Sequence, residues 1–329
     1  MMEKTTILVG TIGQGVMRSH DGGETWQRIG IYQGMHSDAM VRMLAHHPRR
    51  PEIVYAGTDK GLYCSDDTGA TWKQMDSPLN PYAVWAITVD PLNPEILFAG
   101  TGTPCPSKVF RSTDGGKSWE EKPAVIADEC PNVGIPRVTG IAIDPVNRHN
   151  IWVGIEVDGL RCSTDCGETW KTINGTAIPN PDVHSVAVAE GPPKTVFCVV
   201  NNEVYTSTDD GATWNALHIR QIFPFGYPRN IMVQPDDPKT VFLTIGDSTP
   251  GRIGTVMRSK DVGKTWESLN LSVQPNSAMW AVHAQPDNPK TMIAGSRYGY
   301  LYRSDDGGDT WRKLWRELSE INSVLALPA

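Results

Sequence analysis

The chain has 329 residues, a formal net charge of −7 and a pI near 5.6. That acidity excludes a general nucleic-acid binder or a protein held on anionic membranes, since both need a basic footprint. With 39% hydrophobic and 20% charged residues it has the make-up of a soluble globular protein with a buried core. No stretch reaches the roughly 18 apolar residues of a membrane-spanning helix.

At the head of the chain, residues 1–10 hold too short an apolar run for a signal peptide and lead straight into strand-like sequence. This reads the protein as cytoplasmic. Six cysteines would allow three disulfides, but a reducing compartment favours free thiols.

From residue 19 onward one motif governs the chain. Ser-x-Asp-x-Gly-x-Thr/Ser-Trp begins at Ser19, Ser65, Ser112, Ser163, Ser207, Ser259 and Ser304, with spacings of 46, 47, 51, 44, 52 and 45 residues. Its aspartates are Asp21, Asp67, Asp114, Asp165, Asp209, Asp261 and Asp306, and its tryptophans Trp26, Trp72, Trp119, Trp170, Trp214, Trp266 and Trp311. A period of this length accommodates four short strands. In one repeat, residues 85–90 and 96–100 are short β-prone runs parted by a Pro-Leu-Asn-Pro turn. Residues 109–112 run into the Ser/Asp/Gly turn, and Trp119 opens a fourth strand. We label these strands A to D, from the centre outward.

The ends of the chain fit the same count. Residues 5–29 supply strands B, C and D without an A. Residues 321–327 supply an A without the others. The last strand is therefore expected to complete the first blade and close a ring, which removes exposed sheet edges. The predicted fold is all-β: a seven-bladed β-propeller of four-stranded antiparallel blades, one domain over residues 1–329.

With its seven motif copies the whole chain resembles the Asp-box (BNR-repeat) β-propellers. Sialidases, xyloglucanase-type glycosidases, the ten-bladed sortilin domain and photosystem II assembly factors carry this box. Seven boxes in 329 residues most resembles the assembly-factor-like group. The resemblance implies a fold, not a function.

Within the box, Ser and Asp side chains suit hydrogen bonds to turn amides, Gly suits positive φ, and Trp buries a large ring. A calcium loop is the functional alternative, but no bidentate Glu follows at the required position. The box is expected on the C–D turn, at the outer edge, far from any axial site.

Ligand sites in such rings lie on the opposite, upper face, built from loops entering strand A and from B–C loops. Aligning the A strands on their terminal proline puts Arg42, Trp85, Thr139, Val186, Arg229, Trp280 and Asn322 at one axial level. Just above lie Met40, Ala83, Arg137, His184, Tyr227, Ala278 and Glu320. The irregular stretch 189–193 leaves the register at His184 open by one residue. Arg42, Arg137 and Arg229 offer planar forks for carboxylate or phosphate. Trp85, Trp280 and Tyr227 offer platforms for sugars or aryl groups. The expected ligand is a small anion or an acidic partner segment. The structural alternative is that each arginine pairs with an acid such as Asp38, Glu156, Asp158 or Glu320.

His36 and Asp38, two apart on the way into an axial strand, form a candidate acid–base pair, or else a solvated loop. Cys105 and Cys130 fall on long upper-face loops and form a disulfide, a reactive pair or idle thiols. No metal or cofactor motif is present: there is no HExxH, no CxxC and no Gly-rich phosphate loop. His46, His47 and His283 read as strand residues.

Sialidase chemistry would need a Phe-Arg-Ile-Pro motif that is absent. Xyloglucanase-type chemistry needs two carboxylates across a cleft between two propellers. Three readings follow. The first is a binding propeller for an anion or a protein partner on its upper face, a monomer or weak oligomer with no nucleic-acid or membrane partner. The second is a small-molecule hydrolase or lyase in the same funnel. The third is a glycoside-hydrolase relative with incomplete motifs.

Overall fold

Short apolar runs broken by Pro, Asn and Gly turns pair with their neighbours in sequence, so each repeat becomes a meander. The computed structural model describes residues 5–329. Residues 1–4, part of the segment read above as lacking a signal peptide, lie outside the described residues. Seven four-stranded antiparallel sheets form a seven-bladed propeller. We number the blades 1–7. Their A strands are Ile321–Pro328, Val41–His47, Ala83–Val89, Val138–Ile143, Val183–Ala189, Tyr227–Gln234 and Met279–Ala284.

The ring closes as the sequence predicts. Strand A of blade 1 pairs antiparallel with Thr5–Thr11, from Thr5 opposite Pro328 to Gly10 opposite Ser323. Strands B are buried on both faces, which explains their unbroken apolar runs, such as Ile151–Ile155 and Thr195–Val200. Strands D are two or three residues long and mostly exposed, for example Gln27–Arg28 and Lys73–Gln74. Short polar edges of this kind present little backbone for intermolecular pairing.

Neighbouring blades are joined by aromatic rings under glycines. Phe98, Trp152, Phe197 and Phe242, on the B strands of blades 3 to 6, are fully buried. Each meets the motif glycine, two residues past the aspartate of the repeated turn, in the next blade: Gly167, Gly211, Gly263 and Gly308. A Cβ on these glycines would sit 2.6–3.2 Å from the ring, and their φ of +80° to +91° suits glycine as well.

The turn itself is a closed hydrogen-bond unit. In blade 5, Ser207 Oγ donates to Asp209 Oδ1 (2.8 Å) and accepts from the Gly211 amide (2.8 Å). The Thr213 amide donates to Asp209 Oδ1 (2.9 Å) and its hydroxyl to Oδ2 (2.6 Å). Trp214 Nε1 donates to the Gly211 carbonyl (3.2 Å). The same five bonds recur in every blade, for instance around Asp21 and Asp306. Both carboxylate oxygens are therefore engaged within the turn, which speaks against the calcium-loop reading. The hydroxyls of Ser118, Thr169 and Thr213, followed by their amides, hold Asp114, Asp165 and Asp209 down to about 2.

All six cysteines are free thiols, so Cys105 and Cys130 do not form the disulfide considered above. No helix among the described residues is long and apolar enough to cross a membrane.

Candidate functional site

Every A strand is interrupted near its axial-mouth end, and those of blades 2 and 6 again near the other end. At the mouth end the ladder with strand B skips a residue, and the skipped residues are Arg42, Trp85, Thr139, His184, Trp280 and Asn322, with the pair Arg229–Asn230 in blade 6. A bulge leaves its extra residue out of the ladder and re-aims the side chain. All of them line one cavity of about 220 Å³ on the axis. Side chains fix this ring from blade to blade. Asn322 Nδ2 donates to Val41 O (2.9 Å), and Thr139 Oγ1 to Val183 O (2.6 Å).

Six of the seven axial residues expected at this level stand there. Blade 5 differs: its bulge carries His184, while Val186 lines the cavity from within the ladder. The terminal proline lies six residues past the bulge elsewhere but eight past it here, at Pro192. The irregular stretch 189–193 therefore shifts the alignment by two residues.

The arginines and tryptophans form two modules. Arg42 lies over the Trp85 ring at 4.1 Å, with Arg137 over the same ring at 4.9 Å. Arg229 lies over the Trp280 ring at 4.2 Å, with Arg297 over it at 4.5 Å. Guanidinium planes on indole faces gain cation–π attraction, and their edges stay free for a ligand.

In each module one arginine is neutralised. Arg137 pairs with Glu156 (Nη1–Oε1 3.0 Å, Nε–Oε2 2.9 Å). Arg297 pairs with Glu320 at 2.6 Å and donates to Asn322 Oδ1. The other two have no carboxylate within ion-pair distance among the described residues. Arg42 contacts Met40 Sδ (3.2 Å), and its buried Nε lacks a hydrogen-bond partner. Burial pushes Arg42 down to about 10, with Asp59 opposing and Arg137 and Arg297 adding to the fall.

An acidic wall completes the mouth at blades 4 and 5. Burial pushes both Glu156 and Asp182 above the usual carboxylate range. The Asp182 carboxylate accepts from Asn201 Nδ2 (2.9 Å) and lies 3.8 Å from His184 Nε2. His184 Nδ1 lies 2.9 Å from the Pro228 carbonyl, which can only accept, so Nδ1 carries the proton. Burial, then Arg229, holds this histidine well below its ordinary value, which keeps it neutral. Its ring packs 5.0 Å from that of Tyr227.

His36 and Asp38 are a correction. Both are exposed, neither lines the axial cavity, and no hydrogen bond joins them. A turn closes from the Ala39 amide to the His36 carbonyl (3.1 Å), so the alternation of an extended chain does not apply. His36 borders a separate surface hollow with Ile31 and Tyr63. His283 is a partly buried strand residue: its Nδ1 accepts from the Ala326 amide (3.2 Å), and desolvation pushes it down to about 3. Among the described residues no three His, Cys, Asp or Glu side chains converge for a metal ion.

Glu156, named above as a possible partner for an arginine, is the partner of Arg137, whereas Arg297 and Asp182 lie outside the aligned A-strand positions. Glu156 and Arg297 each directly follow a B strand, Ile151–Ile155 and Met292–Ser296. Asp59 has the same place after Arg50–Thr58, and its Oδ1 accepts from the Met40 amide (2.7 Å). That position, one past strand B, is the signal that finds the layer above the bulges.

Comparison with known proteins gives three findings. The family model Sortilin-Vps10, described as sortilin, neurotensin receptor 3, matches residues 14–127 and 202–323. A xyloglucanase of Hypocrea jecorina is 25% identical over 344 aligned residues, covering 88% of this chain and 40% of its own length. The chain thus spans about two fifths of the curated relatives it matches. Among solved structures, a GH74 enzyme of Niastella koreensis superposes with a TM-score of 0.66 at 23% identity, over 83% of this chain and 45% of that one. A structure described as YCF48 bound to D1 peptide superposes at 0.60 and 17% identity, over 93% and 91% of the two chains. These structural likenesses bear on the fold.

Proposed function

The chain belongs to the Sortilin-Vps10 family, and from that premise we propose that it is a binding propeller whose axial mouth takes a carboxylate-bearing ligand, a small acid or an acidic partner segment. One observation carries this reading: Arg42 and Arg229 border the axial cavity on indole faces with no carboxylate within ion-pair distance among the described residues. A guanidinium edge pairs with a carboxylate through two parallel hydrogen bonds. Positive groups left without partners in a partly desolvated site are costly in a protein that does not use them. A neighbour whose description names a bound peptide, and which this chain matches over most of its length, lends support to a partner segment.

The test is a thermal-shift titration with propionate, benzoate and phosphate, alongside an Arg42→Ala/Arg229→Ala double variant. Ligand that binds the native state raises the midpoint by mass action. A shift with carboxylates that disappears in the double variant is the expected result. A shift of equal size in both proteins would sink the reading.

A second reading is favoured by the xyloglucanase relatives and by Glu156 and Asp182, two carboxyls at the axial mouth that burial raises above the usual carboxylate range. It is a glycoside hydrolase with its acid at the axial mouth. Release of reducing sugar from xyloglucan, lost in Glu156→Gln, would favour it over the binding reading.

A further inference from the structure

The two arginine–tryptophan modules are copies of one device. Each has an indole face, one arginine spent on a glutamate and one arginine with no carboxylate within ion-pair distance among the described residues. They also stand apart in a particular way. Arg42 and Arg229 lie on blades 2 and 6, Trp85 and Trp280 on blades 3 and 7. Each pair is three blades apart in a ring of seven, so the modules face each other across the axis. Both border the same cavity, and Thr139 and Asn322 line it without charge.

The remaining charges do not fill the two vacant forks. Asp59, which faces Arg42, accepts from the Met40 amide and lies 3.4 Å from Lys60 Nζ. Asp182 and Glu156 feel the charge of Arg229 but stand beyond ion-pair distance from it: Asp182 is turned to Asn201 and His184, and Glu156 to Arg137. Resting on the carboxylate reading above, we infer that the natural ligand of this funnel carries two carboxylates, one held by Arg42 and the other by Arg229.

A ligand that engages both arginines gains from the second contact as an intramolecular event, provided its spacer matches the gap. A monocarboxylate cannot, and binds each module separately. The difference is visible in stoichiometry as well as affinity. Both free dicarboxylic acids and peptide ends with an acidic side chain beside the C-terminal carboxylate supply this chemistry.

The experiment is calorimetric titration of the full chain with valerate and with succinate, glutarate, adipate and pimelate. The best diacid is expected to bind at one per chain and at least tenfold tighter than valerate, and valerate at two per chain. Arg42→Ala or Arg229→Ala alone should bring the diacid to within about twofold of valerate, and reduce valerate to one per chain. Arg42→Lys and Arg229→Lys, which keep the charge but lose the fork, should fall between and guard against misfolding of the alanine variants. A peptide ending in aspartate, run against its amidated form, separates the two sources by which of peptide and diacid binds tighter. Equal affinities for diacid and valerate would overturn the inference while leaving the carboxylate reading standing. Binding of neither acid would overturn both.

Discussion

The outer rim and the axial mouth are each repeated seven times, but they repeat different things. At the rim the side chains recur: Ser, Asp, Gly, Thr or Ser, and Trp make the same five bonds in each blade. At the mouth only the backbone recurs. A bulge stands in every A strand, yet it presents Arg, Trp, Thr, His, Arg, Trp and Asn in turn. Where side chains and backbone repeat together, each unit is satisfied within itself and serves the fold. Where the backbone repeats and the side chains do not, the scaffold supplies geometry and leaves chemistry free to vary.

The largest break in that contrast comes from the rim. Trp152→Ala removes a fully buried ring from beneath Gly211 and should cost about 3–5 kcal/mol in urea unfolding, with carboxylate binding kept below the midpoint. A loss below about 1 kcal/mol would mean the blades hold together by other means. Ser207→Ala takes the acceptor from the buried Gly211 amide and should cost about 1–3 kcal/mol.

Acid sharpens the comparison, because the two regions respond with opposite sign. Asp114, Asp165 and Asp209 sit at about 2 in the fold, against 3.8 for the free side chain. The folded state therefore binds fewer protons there. Their contribution is present above 3.8 and is lost as pH falls towards 2, and Asp114→Ala should shallow that slope in an acid titration followed by circular dichroism. Glu156 and Asp182 are raised, so the fold binds more protons than the unfolded chain. What they add is full below the unfolded carboxylate range and fades as pH climbs through their raised values. Glu156→Gln should accordingly raise stability at pH 7 relative to wild type and lose that advantage at pH 4.

The smallest effect on stability belongs to the free arginines. Arg229→Ala should shift unfolding by no more than about 0.5 kcal/mol, since no ion pair is broken. Arg42→Leu should be neutral or slightly stabilising, since a partly desolvated cation is removed. A loss of several kcal/mol at either position would move the mouth into the same structural role as the rim.

The rim was legible from sequence because its requirement is local: eight consecutive residues contain the whole hydrogen-bond unit. The axial level was legible for six blades because a proline ends each A strand at a fixed distance from the bulge. In blade 5 the irregular stretch 189–193 breaks that ruler, and His184 takes the place given to Val186. Arg297 escaped because it lies on a B–C turn, and nothing within strand A announces it. His36 and Asp38 were misplaced because two-residue spacing means a shared side only where the chain is extended. Their turn was not legible in the spacing alone.

The sheet that closes the ring has one more consequence. It sets Thr5 directly opposite Pro328, so the two ends of the described chain are neighbours in one blade. A short linker could join them, and the covalent thread could be reopened between any two blades. Such circular permutants would keep every blade pairing except the native latch, which becomes an ordinary hairpin connection. The order of the blades in space would then be preserved under a new order of synthesis, with the axial side chains still in their places.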